Sequence, residues 1–277
     1  MRILSVAFVL LFVSLARGQQ PDQLIMPGQP AQPAPPANRP AAVGQTPSAD
    51  RSPAQPSTTF PSVHAAAEPA ELTADPNSPF WRDIKGVWIE KRINTSEAAP
   101  QLKTDVRSRW TDKHLYFLFV CPYEELNLRP NPQTETDTNQ LWEHDVLELY
   151  IGSNFDDITK YHELQVSPQG EHLDGKIDAT VPRVGVGDEW KWESGWKTKA
   201  RLDRDKKVWY AEIQLPIAAI DQRPVKAGNE FRINLYRLQG PHPTAPARRD
   251  FVAWLPTGEY HPHRPLKFGR LKLVERQ

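Results

Sequence analysis

The 277-residue chain carries 34 basic and 34 acidic side chains, so it has no net charge with which to hold nucleic acid or an anionic membrane surface. Its 28 prolines are concentrated early and its 9 tryptophans late, so two different materials are joined in one chain. The single cysteine, Cys121, rules out an internal disulfide, and stability must come from a core that a domain of about 200 residues can supply.

Arg2 is followed by an apolar run from Ile3 to Leu15 and then by Ala16-Arg17-Gly18. A basic start, a short apolar stretch and a small-x-small site predict a secretory signal peptide over 1–18, cleaved after Gly18, because the run is too short to span a bilayer. The expected location is secreted or periplasmic, with no transmembrane segment after cleavage. Residues 19–74 are rich in Pro, Ala, Gln and Ser and predict an extended, disordered linker. The folded domain is expected over 75–277, opening at Asp75-Pro76-Asn77-Ser78-Pro79-Phe80-Trp81.

Within that domain, short alternating apolar runs separated by turn residues predict strands at 103–110, 115–121, 145–151, 161–167, 196–202, 208–215, 231–238, 251–255 and 268–274. Thr111-Asp112-Lys113-His114 and Asp203-Arg204-Asp205-Lys206 read as hairpin loops. Only Ile217 to Ile220, just after Pro216, reads as a helical turn. Many short strands and little helix predict an all-β fold, an antiparallel β-sandwich of jelly-roll type. Cys121 closes the run Leu115 to Val120 and reads as a small buried hydrophobe.

The stretch Leu141 to Ile151 is the most informative. Leu147, Leu149 and Ile151 fall on one face of a strand, while Val146, Glu148 and Tyr150 fall on the other. Three further strands repeat the arrangement. Tyr161, Glu163 and Gln165 oppose Leu164 and Val166, and Tyr210, Glu212 and Gln214 oppose Ile213 and Leu215. Arg232, Asn234 and Tyr236 oppose Ile233 and Leu235. Planar polar groups interleaved with Tyr suit the vicinal hydroxyls and the C–H face of a sugar, although cross-strand pairs on a wet face would use the same residues. Trp142 follows a polar loop and is a candidate for exposure. Trp190, Trp192 and Trp196 read as a loop packed onto the fold ahead of a ligand platform, and Trp81, Trp110, Trp209 and Trp254 as core.

The chain resembles the family 9 carbohydrate-binding modules that accompany xylanases and other glycoside hydrolases. The likeness rests on Asp75 to Trp81, Arg109-Trp-Thr-Asp-Lys-His-Leu-Tyr116, Trp142-Glu-His-Asp-Val-Leu-Glu148, Trp209-Tyr-Ala-Glu-Ile-Gln-Leu-Pro216, Phe231-Arg-Ile-Asn-Leu-Tyr-Arg237 and Phe268-Gly269, in that order. It implies a sugar clamped between two Trp rings, with nearby Glu, Arg and Asn bonding its hydroxyls. It assigns Trp142 to the first ring and Glu148 to the carboxylate, and Gln165 stands where the family carries Arg. The second ring belongs shortly before Phe268-Gly269, where this chain has Tyr260 and His261 but no Trp. The ligand-binding set is therefore Trp142, Glu148, Gln165, Arg232, Asn234, Tyr236, Tyr260 and His261. Members of that family can also hold a structural calcium, although no run of Asp and Asn here has a recognisable loop-ligand spacing.

These readings predict an exported, non-catalytic protein that binds a poly- or oligosaccharide and assists separate glycoside hydrolases. Two other readings compete with it. A glycoside hydrolase needs two carboxylates across one bond, which Glu148, Glu163 and Glu212 could supply. A haem-binding or structural envelope domain is the other, although the only methionines, Met1 and Met26, lie outside the domain, no Cys-x-x-Cys-His motif is present, and only His-His ligation among His144, His162, His172, His261 and His263 is left to hold a haem.

Overall fold

A computed structural model of the protein describes residues 58–181, 187–240 and 249–276. The signal peptide read at 1–18 and residues 19–57 of the linker read at 19–74 lie outside the described residues. Thirteen strands occur among them: β1 (Thr59–His64), β2 (Val87–Ile89), β3 (Lys91–Arg92), β4 (Thr104–Trp110), β5 (His114–Pro122), β6 (Val146–Gly152), β7 (Lys160–Val166), β8 (His172–Asp178), β9 (Lys197–Asp203), β10 (Val208–Pro216), β11 (Glu230–Gln239), β12 (Asp250–Ala253) and β13 (Gly269–Val274). The α-helix is a single turn, Ile217–Ile220, where Pro216 sets its start. No helix among the described residues is long and apolar enough to cross a membrane.

The fold is all-β, and its strands form one continuous mixed sheet in the order β8-β7-β6-β11-β13-β1-β4-β5-β10-β9, with β12 and β3 branching from β11 and β2 from β4. The purely antiparallel pairing expected from the sequence fails at one strand. β1 lies parallel to both of its neighbours, β13 and β4, and its remaining consequence is for the domain boundary. β1 falls inside the stretch assigned to the linker, so the folded part starts before Asp75. Phe60 explains why: it is fully buried in the main core, and a Pro-rich context does not outweigh an aromatic ring with a site to fill.

That core draws on both ends of the sheet. Phe117, Phe119, Cys121, Ile213 and Leu215 from β5 and β10 share one apolar cluster with Leu147, Leu149, Ile151, Leu164, Val166, Ile233 and Leu235 from β6, β7 and β11. The face assignments made from alternation are therefore correct for these strands. Cys121 is buried, and burial pushes its thiol up to about 12, which leaves it an inert hydrophobe.

Register brings the opposite face of β7, β6 and β11 into rows. Gln165 pairs with Glu148, which pairs with Tyr236; Glu163 pairs with Tyr150, which pairs with Asn234. The corresponding residues of β10 lie far along the sheet. The four strands thus do not share one polar face: three do, and β10 builds something else.

Candidate functional site

The face carried by β6, β7 and β11 is not open to water. Glu148, Tyr150, Glu163, Gln165 and Tyr236 are each buried, beneath the segment that follows β12 and the short 3-10 helix Asp188–Lys191. Between these covers and the sheet lies a pocket of ≈ 360 Å³ lined by Trp142, Glu148, Tyr150, Glu163, Gln165, Trp190, Leu238, Phe251, His261, Pro262 and His263.

The floor is a connected polar network. The Gln165 amide nitrogen donates to Glu163 Oε1 at 2.6 Å and to Glu148 Oε1 at 3.3 Å, bridging the two carboxylates. The Tyr150 hydroxyl donates to Glu148 Oε2 at 3.1 Å. His263 sits against the rings of Tyr150 and Tyr161, 5.0 and 6.2 Å away and nearly parallel to both. Its Nδ1 is 2.7 Å from the Tyr161 hydroxyl and its Nε2 3.3 Å from that of Tyr150. Burial and then the Glu148 and Glu163 carboxylates drive the Tyr150 phenol well above its ordinary range, so it stays a neutral donor. One atom in this floor is unsatisfied: Gln165 Oε1 is buried and has no hydrogen-bond partner. A buried acceptor without a partner is costly unless a ligand or water supplies a proton.

The wall is aromatic. Trp142 stands on the 3-10 turn Leu141–Glu143, entered through Gln140 in the left-handed region at φ 63° and anchored by buried Leu141. Arg249 donates to the Trp142 carbonyl, and the buried Asp145 carboxylate accepts from the Asn127 and Gly240 amides, fixing the loop behind it. Trp190 lies beside Trp142 with ring centroids 5.8 Å apart and planes tilted by 31°. A ring inserted between two aromatic faces needs roughly 7 Å or more. These two indoles therefore form one contiguous platform rather than opposed jaws. Trp190 rests over Gly175 of β8, where an added Cβ would come within 2.7 Å of its ring.

Of the residues singled out from the sequence, Trp142, Glu148, Gln165 and His261 line this pocket. The other four do not, each for a visible reason. The Arg232 guanidinium donates to the Ile158 carbonyl at 2.7 and 3.0 Å and covers the Phe268 ring. The Asn234 amide is spent on the Tyr236 hydroxyl and on the backbone of Leu235 and Leu255. Tyr236 donates to the Pro262 carbonyl, tying down the covering segment. Tyr260 is exposed, packs edge-on against Phe251 and donates to the Arg249 carbonyl. The sequence favours loop packing for Trp190 over a ligand platform and offers His263 only among the histidines of a haem site.

A second cluster lies close by. Ligand atoms of Asp137, Asp174 and Glu193 fall within 4.8 Å of one another. Burial, and then Asp174 and Glu193, push the Asp137 carboxyl up to about 7. Asp174 is buried, with Oδ1 unpartnered, and Asp137 Oδ2 is likewise unpartnered. An all-oxygen set with spare acceptors fits a hard divalent cation such as calcium.

Three solved structures share this fold, and two of them hold a sugar. A family 9 carbohydrate-binding module from Caldicellulosiruptor kristjanssonii, in complex with cellotriose, is 15% identical and covers 79% of this chain and 95% of its own, with a TM-score of 0.55. The same organism's module in complex with glucose is 15% identical, covers 79% and 97%, and has a TM-score of 0.53. A candidate carbohydrate-binding protein from Bacteroides uniformis is 16% identical and covers 78% and 98%, with a TM-score of 0.59. No curated protein matches the chain. The family model for carbohydrate family 9 binding domain-like proteins matches residues 76–276, and the chain belongs to that family.

Proposed function

We propose that the pocket binds a saccharide, as an exported, non-catalytic module that delivers poly- or oligosaccharide to separate glycoside hydrolases. The observation that carries this reading is the pairing of the Trp142–Trp190 platform with a buried acceptor, Gln165 Oε1, that the protein leaves unsatisfied. An indole platform receives the C–H face of a pyranose, and a hydroxyl on that ring donates to Gln165 Oε1. Glu148 and Glu163, already held by Gln165, accept from further hydroxyls where the pocket exposes them. Binding is expected to be modest, because each hydrogen bond made replaces one to water. The cellotriose and glucose held by the two bacterial modules make β-glucans the first ligands to try.

Export rests on the pattern at 1–18, and the jelly-roll sandwich on the single core shared by the two ends of the sheet. The test is a screen of plant and bacterial polysaccharides by affinity electrophoresis, repeated with Trp142→Ala. Retardation by at least one glycan, lost in the variant, is expected. Equal retardation of both proteins would contradict the assignment of the pocket, and release of reducing sugar would establish the hydrolase reading instead.

A further inference from the structure

We propose that a second pocket, enclosed by the chain that follows β1, binds a small organic carboxylate on Arg109. The pocket has a volume of ≈ 480 Å³, within the range of small-molecule sites, and shares no lining residue with the saccharide pocket. Arg109, on β4, frames it. The guanidinium donates through Nη2 to the His64 carbonyl at 2.9 Å and through Nη1 to the Phe80 carbonyl at 2.8 Å. One side chain thereby ties together the two ends of the segment 65–79, which supplies most of the walls. The segment is fixed along its length as well. The Ala65 amide donates to the Trp110 carbonyl at 2.8 Å. Glu68 is held by the Thr111 hydroxyl at 3.2 Å and by His114 Nδ1 at 2.6 Å, and the Thr73 and Ala74 amides are held by Glu212. The cavity is therefore preformed.

Charge, unused donors and apolar walls together specify the ligand. Arg109 is 6% exposed, its two hydrogen-bond partners are neutral carbonyls, and among the described residues no carboxylate is paired with it. A buried charge without a counter-ion is costly. Burial, and then the nearby Arg276 charge, pull the Arg109 pKa down, with Asp83 opposing them. Arg276 lines the same pocket from an exposed position. Arg109 Nε and Ser78 Oγ are both buried without a partner, and Ser78 stands two residues before the Phe80 carbonyl that holds Arg109. Gln165 leaves an acceptor over in the saccharide pocket; here the groups left over are donors. An ionised carboxylate is acceptor-only, and its planar pair of oxygens matches the N–H groups along one edge of a guanidinium. Ala66, Ala67, Pro69, Ala70, Pro79 and Phe80 make the walls apolar, which suits a carboxylate with an apolar body better than bare phosphate or sulfate. The acidic residues of the lining do not fill this role. Glu212 is taken by the Thr73, Ala74 and Trp81 donors, and Glu71 is exposed.

The experiment uses the full chain in low-chloride buffer, with sodium benzoate and sodium acetate as probes and benzyl alcohol and inorganic phosphate as comparisons. Calorimetry should give one benzoate per chain with a Kd of about 1 mM and acetate binding about tenfold weaker. Benzyl alcohol, which has the same body and no charge, should bind at least about tenfold more weakly than benzoate. In nitrogen-resolved NMR spectra the Arg109 Nε–H resonance, assigned through its own side-chain carbons, should shift with the same midpoint as the heat. Ser78→Ala and Arg276→Ala leave the two carbonyl bonds of Arg109 in place, and each should weaken benzoate about threefold or more. Absence of binding by both carboxylates overturns the proposal. So does benzoate binding that leaves the Arg109 Nε–H resonance unmoved, that is matched by benzyl alcohol, or that is unaltered in both variants. Phosphate binding more tightly than benzoate overturns the choice of a carboxylate.

Discussion

β7 and β10 carry the same motif, Tyr-x-Glu-x-Gln, and put it to opposite uses. In β10 the Glu212 carboxylate accepts from the Thr73 and Ala74 amides at 2.8 and 2.7 Å and from the Trp81 indole at 2.8 Å. Gln214 donates to the Tyr116 hydroxyl at 2.8 Å. The motif there anchors the chain entering the domain. In β7 Gln165 bridges Glu148 and Glu163 and is left with a buried acceptor facing a pocket. The difference teaches that a strand's polar face becomes a site only where the segment packed over it fails to satisfy it.

The largest expected effect breaks the anchoring half of this comparison. Glu212→Ala leaves three donors, two of them buried, without an acceptor, and denaturant unfolding should show a loss of about 3–5 kcal/mol. Gln165→Ala should cost less, about 1–3 kcal/mol: Glu148 and Glu163 lose the amide that bridges them, but the Gln165 acceptor is already unsatisfied.

A second test uses acid and the core side of β7. The His162 ring lies against Trp192 with centroids 4.3 Å apart and planes tilted by 32°, and burial pulls its pKa down to about 4 from the ordinary 6.5. The unfolded chain therefore binds a proton in a window where the folded chain does not. The contribution of His162 is complete above pH 6.5 and is lost as pH falls toward 4, reaching about 3 kcal/mol. Urea midpoints measured across this window should decline, and His162→Phe should flatten the slope.

Gly175→Ala sharpens the comparison from the pocket side. The new Cβ meets the Trp190 ring, so a destabilisation of about 1–3 kcal/mol is expected. It should be accompanied by altered tryptophan emission and weaker ligand binding. Tyr260→Ala should do least: the ring lies outside the pocket, and ligand affinity measured by calorimetry should stay within about twofold.

Much of this was legible in the sequence. Alternation assigned the faces of β6, β7 and β11, Glu148 and Gln165 among them, while the place of Trp142 after a polar loop and the family resemblance singled out Trp142, Glu148 and Gln165 as site residues. Trp190 was not legible, because its place depends on β8, a strand hidden by the Gly175 that interrupts His172 to Asp178. That glycine was itself the available signal, since a strand glycine marks a spot where another group approaches closely. Arg232, Asn234 and Tyr236 were read on the correct face of β11. Their atoms serve the covering segments, and a strand pattern holds no information about what packs over it. β1 was missed for a similar reason: Phe60 lies in a Pro-rich stretch, and its parallel pairing with β4 and β13 follows no short-range rule.

The central claim is that the Trp142–Trp190 platform and Gln165 form one saccharide site. Titration calorimetry of cellotriose, with calcium present, into wild type and Trp142→Ala tests it most directly. The account predicts saturable binding by the wild type, weakened about tenfold or more in the variant, with the two proteins unfolding at the same temperature within about 2 °C. Equal affinity of the two proteins for the ligand would contradict it.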